Sequence, residues 1–152
     1  MNDAPEFVPV GFDVPRVLAT PDFVLEPLGP EHNASDYDAW TSSLEHINAT
    51  PGFPWGSWPH AMSPDENRAD LEMHADDFRL RKGFTYTVLD PESRDVIGCL
   101  YIYPVRDSDE DAQARSWVRA SHAHLDVPLW RAVSDWLAAD WPFATVRYAP
   151  RA

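Results

Sequence analysis

The 152-residue chain has one cysteine, one lysine and six glycines, and the last of the glycines is Gly98. A lone thiol excludes an internal disulfide. Cys99 falls inside the apolar run Val96 to Tyr103, where a thiol behaves as a small buried hydrophobe and not as a nucleophile. No stretch approaches the roughly 18 consecutive apolar residues of a membrane span, and Met1 to Pro9 has no basic segment followed by an apolar one. No membrane partner is expected, and cytoplasmic residence follows by default. Positive charge is scarce, with 12 basic residues against 25 acidic ones and a formal net charge of −13. A field of that sign repels phosphate backbones, which excludes nucleic acid as a partner, and attracts a cationic amine. No Gly-x-Ser-x-Gly, P-loop or dinucleotide fingerprint is present, so hydrolase, nucleotidase and Rossmann readings have nothing to rest on. His122-x-His124 has no third ligand nearby in sequence and there is no His-Glu-x-x-His pattern, so no metal site is expected.

What the chain has in excess is proline, 15 residues, which predicts short elements joined by rigid connections. Residues 1–22 carry Pro5, Pro9, Pro15 and Pro21 among isolated apolar side chains and read as an extended arm lying on a single domain, 23–152. Phe23 to Leu28 reads as the first strand. Ser35 is placed to cap a helix whose Tyr37, Trp40, Leu44 and Ile47 share one face. Thr50 to Ala61 is an aromatic loop punctuated by Pro51, Gly52, Pro54, Gly56 and Pro59. Ser63-Pro64-Asp65-Glu66 has the hydroxyl, proline and glutamate of a capping box, opening a second helix that buries Leu71, Ala75 and Phe78 and closes at Gly83, where a left-handed residue is expected. Phe84 to Leu89 and Asp95 to Tyr103 form a hairpin about Asp90 to Arg94, and Ala114 to Arg119 adds a third strand to the meander. Asp126 caps the next helix, with Pro128 in its first turn and Leu129, Val133, Trp136 and Leu137 as its buried stripe. Ala144 to Tyr148 is then a last strand, reached by a crossover and so parallel.

The resulting class is α/β (α+β), a mixed and mostly antiparallel sheet with helices on both faces, in the order β-α-α-β-β-β-α-β. This resembles the GNAT superfamily of N-acetyltransferases. The likeness is carried by Phe23-Val24-Leu25-Glu26-Pro27-Leu28 with Pro30-Glu31-His32, by the hairpin Tyr86 to Tyr103 with its Ile97-Gly98 pair, and by Ser116-Trp117-Val118-Arg119 ahead of the third helix. The resemblance implies acetyl-CoA as cofactor, acetyl transfer to a small-molecule amine, and pairing of the Trp117 to Arg119 backbone with the pantetheine arm. Two departures stand out. The family's glycine-rich turn, whose bare N–H groups approach a pyrophosphate, is replaced by Arg119 to Asp126, which has no glycine. The family's later helix and strands, with their general-acid tyrosine, have no counterpart after Tyr148, and an exposed sheet edge left there predicts a homodimer.

Arg119, His122 and His124 are the side chains able to meet phosphate in place of the missing glycines, while a capping Asp126 carboxylate would repel it. Tyr101 and Tyr103, alternating with Cys99 on one strand face, are candidate proton donors, and Glu45 a candidate base. His46 with Trp40, Trp55 and Trp58 could hold a cationic amine, or the tryptophans could simply pack as core or lid. Two functions follow: an acetyl-CoA-dependent N-acetyltransferase, or a non-catalytic GNAT-like domain that binds a small ligand or protein partner through the Trp55 to Trp58 loop.

Overall fold

A computed structural model describes residues 6–53 and 58–151. Its strands are β1 (Leu18–Ala19), β2 (Val24–Pro27), β3 (Phe84–Leu89), β4 (Val96–Tyr103), β5 (Ala112–Val118) and β6 (Val146–Tyr148). Its helices are α1 (Asn33–Thr41), α2 (Leu44–Asn48), α3 (Pro64–Arg79) and α4 (Asp126–Asp140), with short 3₁₀ turns at Pro30–His32 and Ala120–Leu125. The six strands form one sheet in sequence order, antiparallel from β1 to β5, with β6 parallel to β5. The α/β class, the three-strand meander and the parallel crossover are those expected from the sequence.

All six β3 side chains are buried, because helices or the arm cover both sheet faces. On one face Tyr86, Leu100 and Ile102 meet Leu129, Val133 and Leu137 of α4. The arm packs there too: Phe7 stacks on Phe84 at 5.7 Å and Val8 is buried. On the other face Cys99 and Trp117 meet Trp40, Ile47 and Leu71 from α1, α2 and α3.

Five local expectations differ in detail. The arm contributes a short strand, β1, paired with β2. The first helix is two helices, broken at Ser42 and Ser43, where Ser43 leaves helical geometry (φ −132°). The break turns Leu44 out to solvent, and Ser35 accepts a bond from Val96 N–H at 2.8 Å instead of capping α1. The left-handed residue after α3 is Arg81 (φ 62°), not Gly83. Gly83 is needed for space, since a Cβ there would lie 2.1 Å from the Tyr103 ring. Asp126 makes no cap hydrogen bond; Leu125 occupies the cap and the Asp126 carboxylate turns to Arg151. The capping box of α3 is as expected, with Ser63 Oγ accepting from Glu66 N–H at 3.1 Å and Glu66 accepting from Ser63 N–H at 2.8 Å.

Candidate functional site

Strands β5 and β6 pair only from Ala112 to Ala114, so the Arg115 to Val118 edge has no strand beside it. Arg119 N–H donates to Ile97 O at 2.9 Å, which by strand alternation turns the Ser116 and Val118 backbone groups away from β4. Of the Trp117 to Arg119 stretch expected to pair with pantetheine, Val118 alone turns its backbone groups to that edge. It faces Arg151, which is buried and donates from Nη2 to Ser116 O at 2.7 Å. The same guanidinium donates from Nε to Asp126 Oδ2 at 2.9 Å and from Nη1 to Ala149 O at 2.7 Å. The Tyr148 hydroxyl meets Ser116 Oγ beneath it, and burial pushes that phenol up to about 12.

The helix start beside this crevice does not fit a pyrophosphate. Three of its N–H groups are engaged internally: Ala120 donates to Ser43 Oγ at 2.8 Å, His122 to Arg119 O at 2.8 Å, and Asp126 to Ala123 O. A carboxylate, Asp126, stands at the first position of α4, where the helix dipole already favours negative charge and a second anion meets repulsion. One oxygen of that carboxylate, Oδ1, is buried without a partner. Arg119 is drawn to α1, bonding Asp38 at 3.0 Å and Ser42 at 3.3 Å, and His122 and His124 stack on each other at 6.1 Å. The residues expected to replace the glycines therefore gather near the turn, and Arg119 is spent there on Asp38, Ser42 and Val96 O.

A second concavity, of about 750 Å³, lies on the opposite sheet face between α3 and the ends of β4, β5 and β6. His74 of α3 reaches into it. His74 Nδ1 lies 2.9 Å from Tyr103 Oη and 3.1 Å from Thr85 Oγ1, and Tyr103 donates to Asp77 Oδ2 at 2.9 Å. Tyr103 has a single hydrogen and gives it to Asp77, so the hydrogen between Tyr103 and His74 sits on Nδ1. This count assigns Nε2 as the bare acceptor. Burial holds the His74 pKa below its ordinary value against the opposing pull of Asp70 and Asp77, leaving the ring neutral at pH 7. Burial likewise pushes the Tyr101 and Tyr103 hydroxyls up, Tyr101 most strongly, which keeps both as phenols. The Arg115 guanidinium carbon sits over the rings of Phe53 (5.1 Å to the centroid) and Tyr101 (5.6 Å).

Of the residues singled out from sequence, Tyr101 and Tyr103 line this cavity. Trp40 is 2 % exposed, with its Nε1 donating to Asn67 at 3.0 Å, and Trp58 packs among Trp40, Phe53, Tyr101 and Trp117. Trp55 lies outside the described residues. Glu45 is exposed on a separate hollow with Tyr37 and His60, and His46 keeps a buried Nε2 without a partner. Trp117 is buried, donating from Nε1 to Tyr101 Oη at 3.1 Å. Sequence reasoning passed over His74, Asp77 and Arg115. The available signals were a histidine three residues after Leu71 and four before Phe78 on the buried helix face, and an arginine alternating with Trp117 along β5. Among the described residues no group of three or more His, Cys, Asp or Glu gathers as a metal site, and no helix is long and apolar enough to cross a membrane.

No family model matches this chain, and no curated protein matches it by sequence. Solved structures do match by fold. The ribosomal-protein-S5-alanine acetyltransferase from Vibrio fischeri aligns with a TM-score of 0.62 at 13 % identity, over 82 % of this chain and 67 % of that one. The Salmonella typhimurium acetyltransferase that modifies the N-terminal serine of ribosomal protein L7/L12 aligns at 0.61 and 10 % identity, over 83 % and 71 %. The microcin C7 self-immunity acetyltransferase MccE, in complex with acetyl-CoA and AMP, aligns at 0.59 and 9 % identity, over 77 % and 61 %. Identities this low speak for the fold alone, which is that of the GNAT acetyltransferases. They also correct one expectation: where these neighbours' names state an acceptor it is a ribosomal protein, so a small-molecule amine as partner is withdrawn.

Proposed function

We propose that this chain, a GNAT acetyltransferase fold, works as a non-catalytic binding domain whose ligand enters the cavity beneath α3. The observation that carries the reading is the Arg151–Asp126 pair. It fills the crevice where the fold would take acetyl-CoA and sets a carboxylate where a pyrophosphate would rest. An anion entering there would have to displace a buried charge pair, and removing one partner of such a pair costs about 3–5 kcal/mol. The cavity on the other face faces no such obstacle, and its volume falls within the roughly 300–1,000 Å³ of small-molecule sites.

A second reading, acetyl transfer to a protein amine, is favoured by the named activities of the structural neighbours and by a neutral His74 with Nε2 free to accept a proton. In that reading the chain's own residues would hold and orient the amine beside Tyr101 and Tyr103. Calorimetric titration with acetyl-CoA separates the two. The first expects no heat at millimolar cofactor, and saturable binding would replace it with the second.

A further inference from the structure

We infer that the cavity beneath α3 is a site for a small carboxylate with a flat apolar body, gripped by Arg115. This deepens the binding reading above by naming its ligand class. The chain as a whole is strongly acidic, yet four of its 12 basic residues, Lys82, Arg106, Arg115 and Arg147, line this one cavity, against only Asp77 and Asp107. Three of these six are already committed: Arg147 is paired with Glu110 at 2.9 Å and with Asp107 at 3.6 Å, and Asp77 is bonded by the Tyr103 hydroxyl. Among the described residues Lys82, Arg106 and Arg115 make no ion pair.

Arg115 is the residue best prepared to bind. Its guanidinium carbon lies 5.1 Å from the Phe53 ring centroid and 5.6 Å from that of Tyr101, which restrains the group, and among the described residues its hydrogen bonding amounts to one contact with Gly52 O at 3.5 Å, at the edge of any useful geometry. A guanidinium restrained between two rings, with its N–H fork unspent among the described residues, matches a planar carboxylate bidentately. Tyr101, Tyr103, Met73 and Pro104 supply apolar wall around it, which calls for a flat body behind the charge. The acidic field of the whole chain does not forbid this. At physiological ionic strength it is screened beyond about 8 Å, whereas a contact pair with the half-buried Arg115 is screened less. Arg115 also contributes to holding the His74 pKa down, as a positive potential in the cavity requires.

The test is a calorimetric comparison of benzoate, benzamide and benzylammonium on the full chain. Benzoate should bind about tenfold or more tightly than either isostere, the difference a charged hydrogen-bonded pair supplies. Arg115→Gln should abolish that preference. Because Arg115 also packs on two rings, the double surface variant K82Q/R106Q serves as a second arm: it should keep the wild-type thermal midpoint and weaken benzoate about threefold. A preference for benzylammonium, equal affinity for all three probes, no benzoate binding at millimolar concentration, or wild-type affinity in Arg115→Gln would each overturn the inference. None of these results would reopen the crevice, which the acetyl-CoA titration judges separately.

Discussion

At the scale of single residues, the carboxyl group furthest raised from its ordinary state is that of Asp36. It is buried on the face of α1 that meets α3, where Asn67 Nδ2 donates to it at 3.1 Å while also donating to Asn33 at 2.8 Å. Burial outweighs that hydrogen bond and raises its pKa to about 6. The folded state thus binds a proton more tightly than the unfolded chain does. The stability this brings is complete below the ordinary carboxylate pKa of about 4 and is lost as pH rises through about 6. Asp36→Asn keeps an acceptor for Asn67 and removes the titration. Urea denaturation should find it more stable than wild type at pH 7, by up to about 3 kcal/mol, and close to wild type at pH 4. An unchanged difference between the two pH values would show that Asp36 is not the titrating group. His74 teaches the complementary lesson: a histidine on a buried helix stripe reads as core packing until the fold brings Tyr103, Thr85 and Asp77 around it.

At the scale of elements, local chemistry is most legible where the partners are close in sequence. The start of α3 needs only Ser63, Pro64 and Glu66, and both reciprocal bonds form. Ser63→Ala should cost about 1 kcal/mol, read as a lower denaturation midpoint at constant slope; no change would mean that the helix start is held by packing alone. The long first helix failed as an expectation because periodicity is blind to what Ser43 does elsewhere: its hydroxyl accepts from Ala120 N–H, 77 residues away, and Ser42 bonds Arg119. A helix is broken there for contacts that no window of sequence contains. Gly83 and Gly98 make the same point for glycine. Both are required by neighbours, the Tyr103 ring in one case and the Trp117 carbonyl 2.5 Å from a would-be Cβ in the other, and not by their own backbone angles.

At the scale of the molecule, the decisive contact joins the first residue of α4 to the segment following β6. With Arg151 gone, the Asp126 carboxylate would be left without its counter-charge in a mostly enclosed place. Arg151→Ala should therefore lower stability by about 3 kcal/mol, whereas the double change D126N/R151M, which removes both charges together, should recover most of the loss. Equal denaturation midpoints for Arg151→Ala and wild type would mean the pair is not holding the crevice shut.

From sequence alone came the class, the meander, the parallel crossover, the capping box and the absence of glycine where the fold usually binds pyrophosphate, because each depends on residue type and short-range spacing. Only the tertiary structure decided that Arg151 closes the crevice, that Arg119 serves α1, and that His74, Tyr103 and Arg115 share a cavity. Those groupings join residues up to 81 positions apart, and backbone packing, not pattern, sets which side chains meet.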